Sequence, residues 1–130
     1  MLFSKFIFDL LDKVLYPSCN IGTVKGITIE KDITYNESVD DSTADLYYKK
    51  DQSGKYPVLL NIHGGGFVAG DKKYRVGFSK DIADEGVFVM SINYLLCPKS
   101  CFPDFILQCA SALDWIKGNA DKYNLDLDNI

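Results

Sequence analysis

The amino-acid sequence predicts an α/β fold: a mostly parallel sheet with flanking helices, antiparallel first strands and an N-terminal amphipathic helix. Three observations predict it. Val58, Leu59, Leu60, Asn61 and Ile62 form a near-continuous apolar run, and Val87 to Ile92 form a second. Runs of this kind belong to strands buried on both faces, as in parallel sheets covered by helices. Between them, Tyr74, Phe78, Ile82 and Ala83 keep helical spacing, and Gly86 supplies a stop. Upstream, two shorter segments separated by a polar, turn-rich stretch read as a strand pair.

Taken in order, Phe3, Phe6, Ile7, Leu10, Leu11 and Val14 recur at helical spacing and predict an amphipathic helix within residues 1–21. Asp9, Asp12 and Lys13 interrupt its apolar character, which argues against a signal peptide or a membrane span. The stripe is expected to dock on the body of the protein as a cap or docking element. The alternative, a membrane-surface anchor, is weakened by the lack of a Lys/Arg-rich polar face. Residues 22–130 are expected to form one α/β domain. Ile27, Ile29, Ile33 and Tyr35 alternate with Thr28, Glu30 and Thr34, with a slip near Lys31, as in a half-exposed strand. Asn36 to Ser42 is a turn, and Ala44 to Tyr48 completes a hairpin. The two apolar runs with the helix between them make a βαβ unit. From Pro103, placed in a first helical turn, Phe105, Cys109, Ala112, Leu113 and Ile116 share a face flanked by Trp115. That helix is expected to end near Tyr123 and Asn124. Leu125 to Asn129 reads as a polar loop, and Ile130 stands where another buried strand is due.

Bulk properties narrow the classes of function. The 130 residues suit one domain, and 47% hydrophobic with 25% charged residues is an ordinary globular composition. The formal charge of −4 comes with no basic stripe, so no nucleic-acid partner is expected. Cys19, Cys97, Cys101 and Cys109 read as free thiols, with Cys97 and Cys101 as core filler, and the protein as cytoplasmic. A single histidine argues against a zinc site. No metal or cofactor is expected.

Directly after the first apolar run stands His63-Gly64-Gly65-Gly66-Phe67. Consecutive glycines admit backbone conformations closed to other residues and let main-chain N–H groups approach a ligand with no Cβ in the way. Such donors can be aimed at the oxygen that becomes negative during acyl transfer. The plainer alternative is a tight strand-to-helix turn.

In this motif the chain resembles the α/β-hydrolase fold esterases and lipases of the HGGG type, the hormone-sensitive-lipase-like carboxylesterases, over their N-terminal portion only. Asn93-Tyr94-Leu95-Leu96-Cys97-Pro98 with Phe102-Pro103 resembles the family's tyrosine-arginine-leucine-alanine-proline stretch and the Phe-Pro that opens its next helix. Ala44 to Tyr48 resembles its second strand. The resemblance runs from about Ile27 to Ile130. It implies that Gly65 and Gly66 are oxyanion N–H donors, that Gly64 shapes the loop and His63 braces it, and that Phe67 lines the acyl or alcohol pocket. Leu95 departs from the family's arginine, so polar contacts near Tyr94 must be absent or replaced.

The nucleophilic half of such an enzyme is not legible. Ser79 follows Gly77 at the G-x-S-x-G distance, but Asp81 stands where the second glycine belongs. Ser91 falls in an apolar strand and Ser111 in a helix. His63, the one histidine, is committed to the glycine loop, and a Ser-His-Asp mechanism needs another. The resemblance places the serine, acid and base beyond Ile130, on and after a strand beside Val58 to Ile62. The 130-residue chain alone is therefore expected to be inactive and, with that strand edge open, poorly soluble. The whole protein is expected to hydrolyse a small-molecule carboxylic ester. The alternative is a non-catalytic ligand-binding or interaction module derived from the same fold.

Overall fold

A computed structural model describes residues 5–7, 10–11, 14 and 24–130. Four strands, β1 (Thr28–Thr34), β2 (Thr43–Tyr48), β3 (Val58–Ile62) and β4 (Phe88–Ile92), form one sheet in the order β1-β2-β4-β3. β1 and β2 are the expected antiparallel hairpin, and β2 also runs antiparallel to β4. β3 and β4 are parallel, joined through a 3-10 turn (Lys72–Arg75) and helix α1 (Val76–Asp84). Helices α2 (Asp104–Gly118) and α3 (Ala120–Tyr123) follow.

Alternation along the central strands splits the core in two. Leu46, Phe88, Met90 and Ile92 turn to one face with Ala112 and Ile116 of α2. Tyr47 and Val89 turn to the other with Ala83 of α1. All five residues of β4 are buried, as a run covered on both sides should be. β3 is less buried than its sequence implies: only Val58 is fully so, and Ile62 is 46% exposed. The cause is its place at the sheet edge, where one side lacks a neighbouring strand. Its edge is engaged only at the start: Tyr56 bridges Leu125 in parallel, and Val58 N–H donates to Asn129 O at 2.9 Å.

Other expectations need correction. In α1 the buried residues are Gly77, Ser79 and Ala83, while Phe78 points to solvent. Small side chains bring this helix close to the sheet, where Ser79 and Ser91 hydroxyls meet at 2.9 Å. Pro103 sits one residue before α2, not in its first turn. The C-terminal helix breaks at Asn119, whose side chain donates to Trp115 O, and α3 ends on Asn124 in the left-handed region. Leu125 is buried, so the segment that follows opens inside the core. Cys101 is exposed and not core filler, whereas Cys97 and Cys109 are partly buried thiols.

Phe6, Ile7, Leu10, Leu11 and Val14 are helical, as their spacing predicts; Phe3 and Cys19 lie outside the described residues. These five are exposed, and the two sheet faces are covered by α1 and α2. No helix among the described residues is long and apolar enough to cross a membrane.

Candidate active site

The glycine loop leaves the C-terminal end of β3. Ile62 pairs in register with Ile92, so His63 emerges beside Asn93 and Tyr94 at the end of the neighbouring parallel strand. His63 is buried, and its ring stacks on Tyr94 with centroids 4.5 Å apart. The Tyr94 hydroxyl donates to His63 O at 2.9 Å. His63 Nδ1 lies 2.8 Å from Gly64 O, an arrangement that requires Nδ1 to carry the proton. His63 is thus held on both its ring and its carbonyl.

The loop then folds back on itself. Val68 and Ala69 N–H both donate to Gly65 O at 3.2 Å. Gly65 (φ 127°) could not carry a side chain, because a Cβ there would run into the Ala69 carbonyl. Gly66 and Phe67 both lie at φ 61°. Phe67 O accepts from Cys97 N–H at 2.8 Å, tying the loop to the segment after β4. The Gly65 and Gly66 N–H groups donate no hydrogen bond among the described residues. Phe67 is half exposed and stacks on Phe105 of α2 with centroids 4.3 Å apart. A cleft of about 290 Å³ opens beside the loop, lined in part by His63, Val68, Gly70, Asn93 and Tyr94, but not by Phe67.

Past the loop, Asp71 caps the 3-10 turn by accepting from Lys73 N–H. Lys72 N–H donates to Asn93 Oδ1 at 2.7 Å. The Lys72 side chain turns inward, and its ammonium reaches Asp45 Oδ1 at 2.7 Å and Asp32 Oδ1 at 2.6 Å. Burial works against the Lys72 charge, but the hydrogen bonds and charges of Asp32 and Asp45 outweigh it and leave its pKa above the ordinary lysine value. The Lys72 hydrogen bond and charge hold the Asp32 carboxyl below the usual carboxylate range. Burial raises the Tyr94 phenol and the Cys109 thiol.

The structure brings His63, Gly64, Gly65, Gly66 and Phe67 together on one loop, with the Asn93 to Cys97 block as its seat. Leu95 N–H donates to Oε1 of buried Gln108, whose Nε2 donates to Ser42 Oγ, so the segment after Tyr94 has a polar tie that needs no arginine at Leu95. Ser79 and Ser91 face each other inside the α1–sheet interface, and Ser111 donates to Leu107 O within α2. No cluster of three or more His, Cys, Asp or Glu residues suited to a metal occurs among the described residues. Sequence reasoning missed Lys72, Asp45, Asp32 and Gln108. Two signals were present: a carboxylate inside the otherwise apolar Ala44 to Tyr48 strand, and the slip in alternation at Lys31.

Residues 44–130 match the BD-FAE family. The chain belongs to this family, among the α/β-hydrolase esterases and lipases. A mimivirus protein (Acanthamoeba polyphaga mimivirus) named as an alpha/beta hydrolase is 32% identical over 113 residues, covering 79% of this chain and 33% of that protein. Hormone-sensitive lipase of Mus musculus is 38% identical over 65 residues, 49% of this chain and 9% of the lipase. The crystal structure of esterase B from Lactobacillus rhamnosis superposes with a TM-score of 0.79 at 28% identity, over 92% of this chain and 38% of that enzyme. This BD-FAE family chain thus spans a third or less of the length of curated relatives that it matches. Its mixed sheet with flanking helices is the N-terminal part of the α/β-hydrolase fold.

Proposed function

We propose that this chain supplies the oxyanion-hole half of a serine carboxylic ester hydrolase. In this reading Gly65 and Gly66 turn their N–H groups on the carbonyl oxygen as it becomes negative. Gly64 and His63 hold the loop, and Phe67 lines the acyl or alcohol pocket. One observation carries the reading: two successive amides without an acceptor among the described residues, on a loop whose flanks are fastened by Tyr94, Cys97 and Asn93. Donors fixed before the reaction need no reorganisation during it, and losing one typically costs about 10²–10³ in kcat.

The serine, acid and base belong, in this proposal, to the segment following Ile130. The Val58 to Asn129 hydrogen bond and the parallel Tyr56–Leu125 bridge support it, because a strand continuing in that direction runs along the free side of Leu60 and Ile62. Residues 1–130 alone are inactive, since their one histidine is stacked on Tyr94 and bonded to Gly64. The substrate is a small-molecule ester, the site needs no cofactor, and the protein works in the cytoplasm.

The test is to read the coding sequence past codon 130, express its whole product, and assay p-nitrophenyl acetate and butyrate beside the 130-residue chain. A downstream G-x-S-x-G serine and a second histidine, with serine-dependent turnover by the whole product alone, is the expected result. A whole product that folds but lacks a usable serine or histidine and hydrolyses neither ester sinks the enzymatic reading. The non-catalytic ligand-binding alternative then replaces it.

A further inference from the structure

The hairpin at the far side of the sheet carries an irregularity that the fold itself does not require. Glu30 pairs with Leu46 and Ile33 with Ala44, so Lys31 and Asp32 together face the single residue Asp45. This is a β-bulge, and Asp32 within it sits at φ 56°, a left-handed conformation that strains a residue with a side chain. The bulge turns the Asp32 N–H onto Asp45 Oδ1 at 3.0 Å and its carboxylate onto Lys72 at 2.6 Å. Asp45 and Lys72 side chains are 4% and 7% exposed, so their contact is a buried ion pair, whereas Asp32, at 73%, closes it from solvent. Lys72 is two residues past Gly70, and Gly70 packs directly on His63 and Gly64. Bulge, buried carboxylate and lysine therefore converge on the exit of the glycine loop.

We propose that Lys72, Asp45 and Asp32 are positioning residues that clamp the end of the glycine loop to β1 and β2 and so hold the Gly65 and Gly66 amides in place. The loop's entry is fixed by β3 and by Tyr94 on His63 O. Its exit has two ties: Lys72 N–H on Asn93, and the Lys72 ammonium on Asp45 and Asp32. Without the second, the Lys72–Asn93 and Cys97–Phe67 hydrogen bonds remain, and the stretch between Phe67 and Lys72 gains freedom next to the turn that sets the two amides. The catalytic consequence rests on the oxyanion reading above; the mechanical one does not.

Lys72→Met alone strands the Asp45 carboxylate in the interior and risks unfolding the chain. The informative variant is Lys72→Met with Asp45→Leu, which replaces the pair with apolar groups that such a site tolerates. Lys72→Arg, which keeps the charge, is the rescue control. Amide hydrogen exchange is measured peptide by peptide on the protein expressed from its complete coding sequence, together with kcat and KM for p-nitrophenyl butyrate. The clamp predicts exchange at least about tenfold faster across residues 63–71, with β4 and α2 unchanged. It also predicts kcat at least about tenfold lower at near-constant KM, because misplaced oxyanion donors cost the transition state and not substrate binding. Lys72→Arg should recover part of both. Unchanged exchange over 63–71, or equal acceleration over every peptide, overturns the clamp. Loop-specific exchange in a protein that hydrolyses no ester leaves the clamp standing and overturns the oxyanion reading.

Discussion

Gly70→Ala tests the packing of the glycine loop most directly, with Gly54→Ala as its control. Both glycines have positive φ, 110° and 90°. A Cβ on Gly54 meets nothing within 4 Å, so that change reports the dihedral penalty alone. The penalty is about 1–2 kcal/mol, offset by roughly 0.4–1 kcal/mol from the stiffer unfolded chain. A net loss near 1 kcal/mol is expected. A Cβ on Gly70 overlaps Gly64 O and His63 Nδ1 and lies 2.8 Å from His63 Cε1. Neither neighbour can swing away, since His63 is buried, stacked on Tyr94 and held at its carbonyl. Relief therefore needs a backbone shift of roughly 1 Å in the glycine run, and misplacement on that scale can cost about 10² in rate. Urea denaturation of both variants should show Gly70→Ala the less stable by at least about 2 kcal/mol, in the range of other strained core changes. Ester hydrolysis by the whole protein should fall about 10²-fold in Gly70→Ala and stay within about twofold in Gly54→Ala. Indistinguishable variants in both assays would refute the argument, because the loop would then have room that this packing denies it.

Other consequences follow from named contacts. Tyr94→Phe keeps the ring stacked on His63 but removes the donor to its carbonyl; urea melts should show a loss of about 1–2 kcal/mol with an unchanged m-value, and no loss would mean that the carbonyl has another partner. Burial raises Tyr35 from 10.0 to about 12, with Tyr47 and Tyr48 shifted the same way. A folded pKa above the unfolded one gives stability that is complete below pH 10 and lost as pH rises from there through about 12, so on the alkaline side thermal melts should hold level to about pH 10 and fall above it. A spectrophotometric titration in which every tyrosine ionises together near pH 10 contradicts this. Ile116→Ala, in the core, should cost about 2–5 kcal/mol, whereas Ile106→Ala on the exposed face of the same helix should stay within about 0.5 kcal/mol. The 130-residue chain should self-associate through the open side of β3, and Ile62→Lys at that edge should lower its light scattering; a wild-type chain that runs as a monomer at high concentration counts against this.

Much of the fold could be read from the chain because its signals are local. β4 is buried on both faces, and its unbroken apolar run says so. The hairpin announces itself through alternation, and the slip at Lys31 is the bulge that delivers Asp32. Where the reading failed, a tertiary arrangement decided. Phe78 keeps helical spacing with Ile82 yet faces solvent, since α1 approaches the sheet through Gly77, Ser79 and Ala83. β3 is apolar like β4 but half open, because sheet order rather than composition sets its exposure. The glycine run stood out at once as a candidate site, its chemistry being carried by adjacent residues. Its surroundings did not: Asp45 and Lys72 lie in separate segments that meet only on folding, and Gln108 reaches Leu95, in the segment that seats the loop, from a third.

The parallel register of β3 and β4 explains why two motifs 30 residues apart behave as one unit. With Ile62 opposite Ile92, the chain leaves both strands at the same edge of the sheet, where α/β folds place their ligands. His63 and Tyr94 meet there as a ring stack, and Phe67 and Cys97 meet a few residues further along each exit. Sliding the pairing by one residue would turn Tyr94 away from His63 and send Asn93 out of reach of Lys72. The register is held by Phe88, Met90 and Ile92 on one face and Val89 on the other, all fully buried, so the core packing of β4 also sets the geometry of the glycine loop. The hydrogen bonds that reach that loop from outside come from β1, β2 and the segment just after β4, and Phe105 of α2 adds a ring stack on Phe67. The loop can therefore take its shape from residues 24–118, before any strand joins the open side of β3.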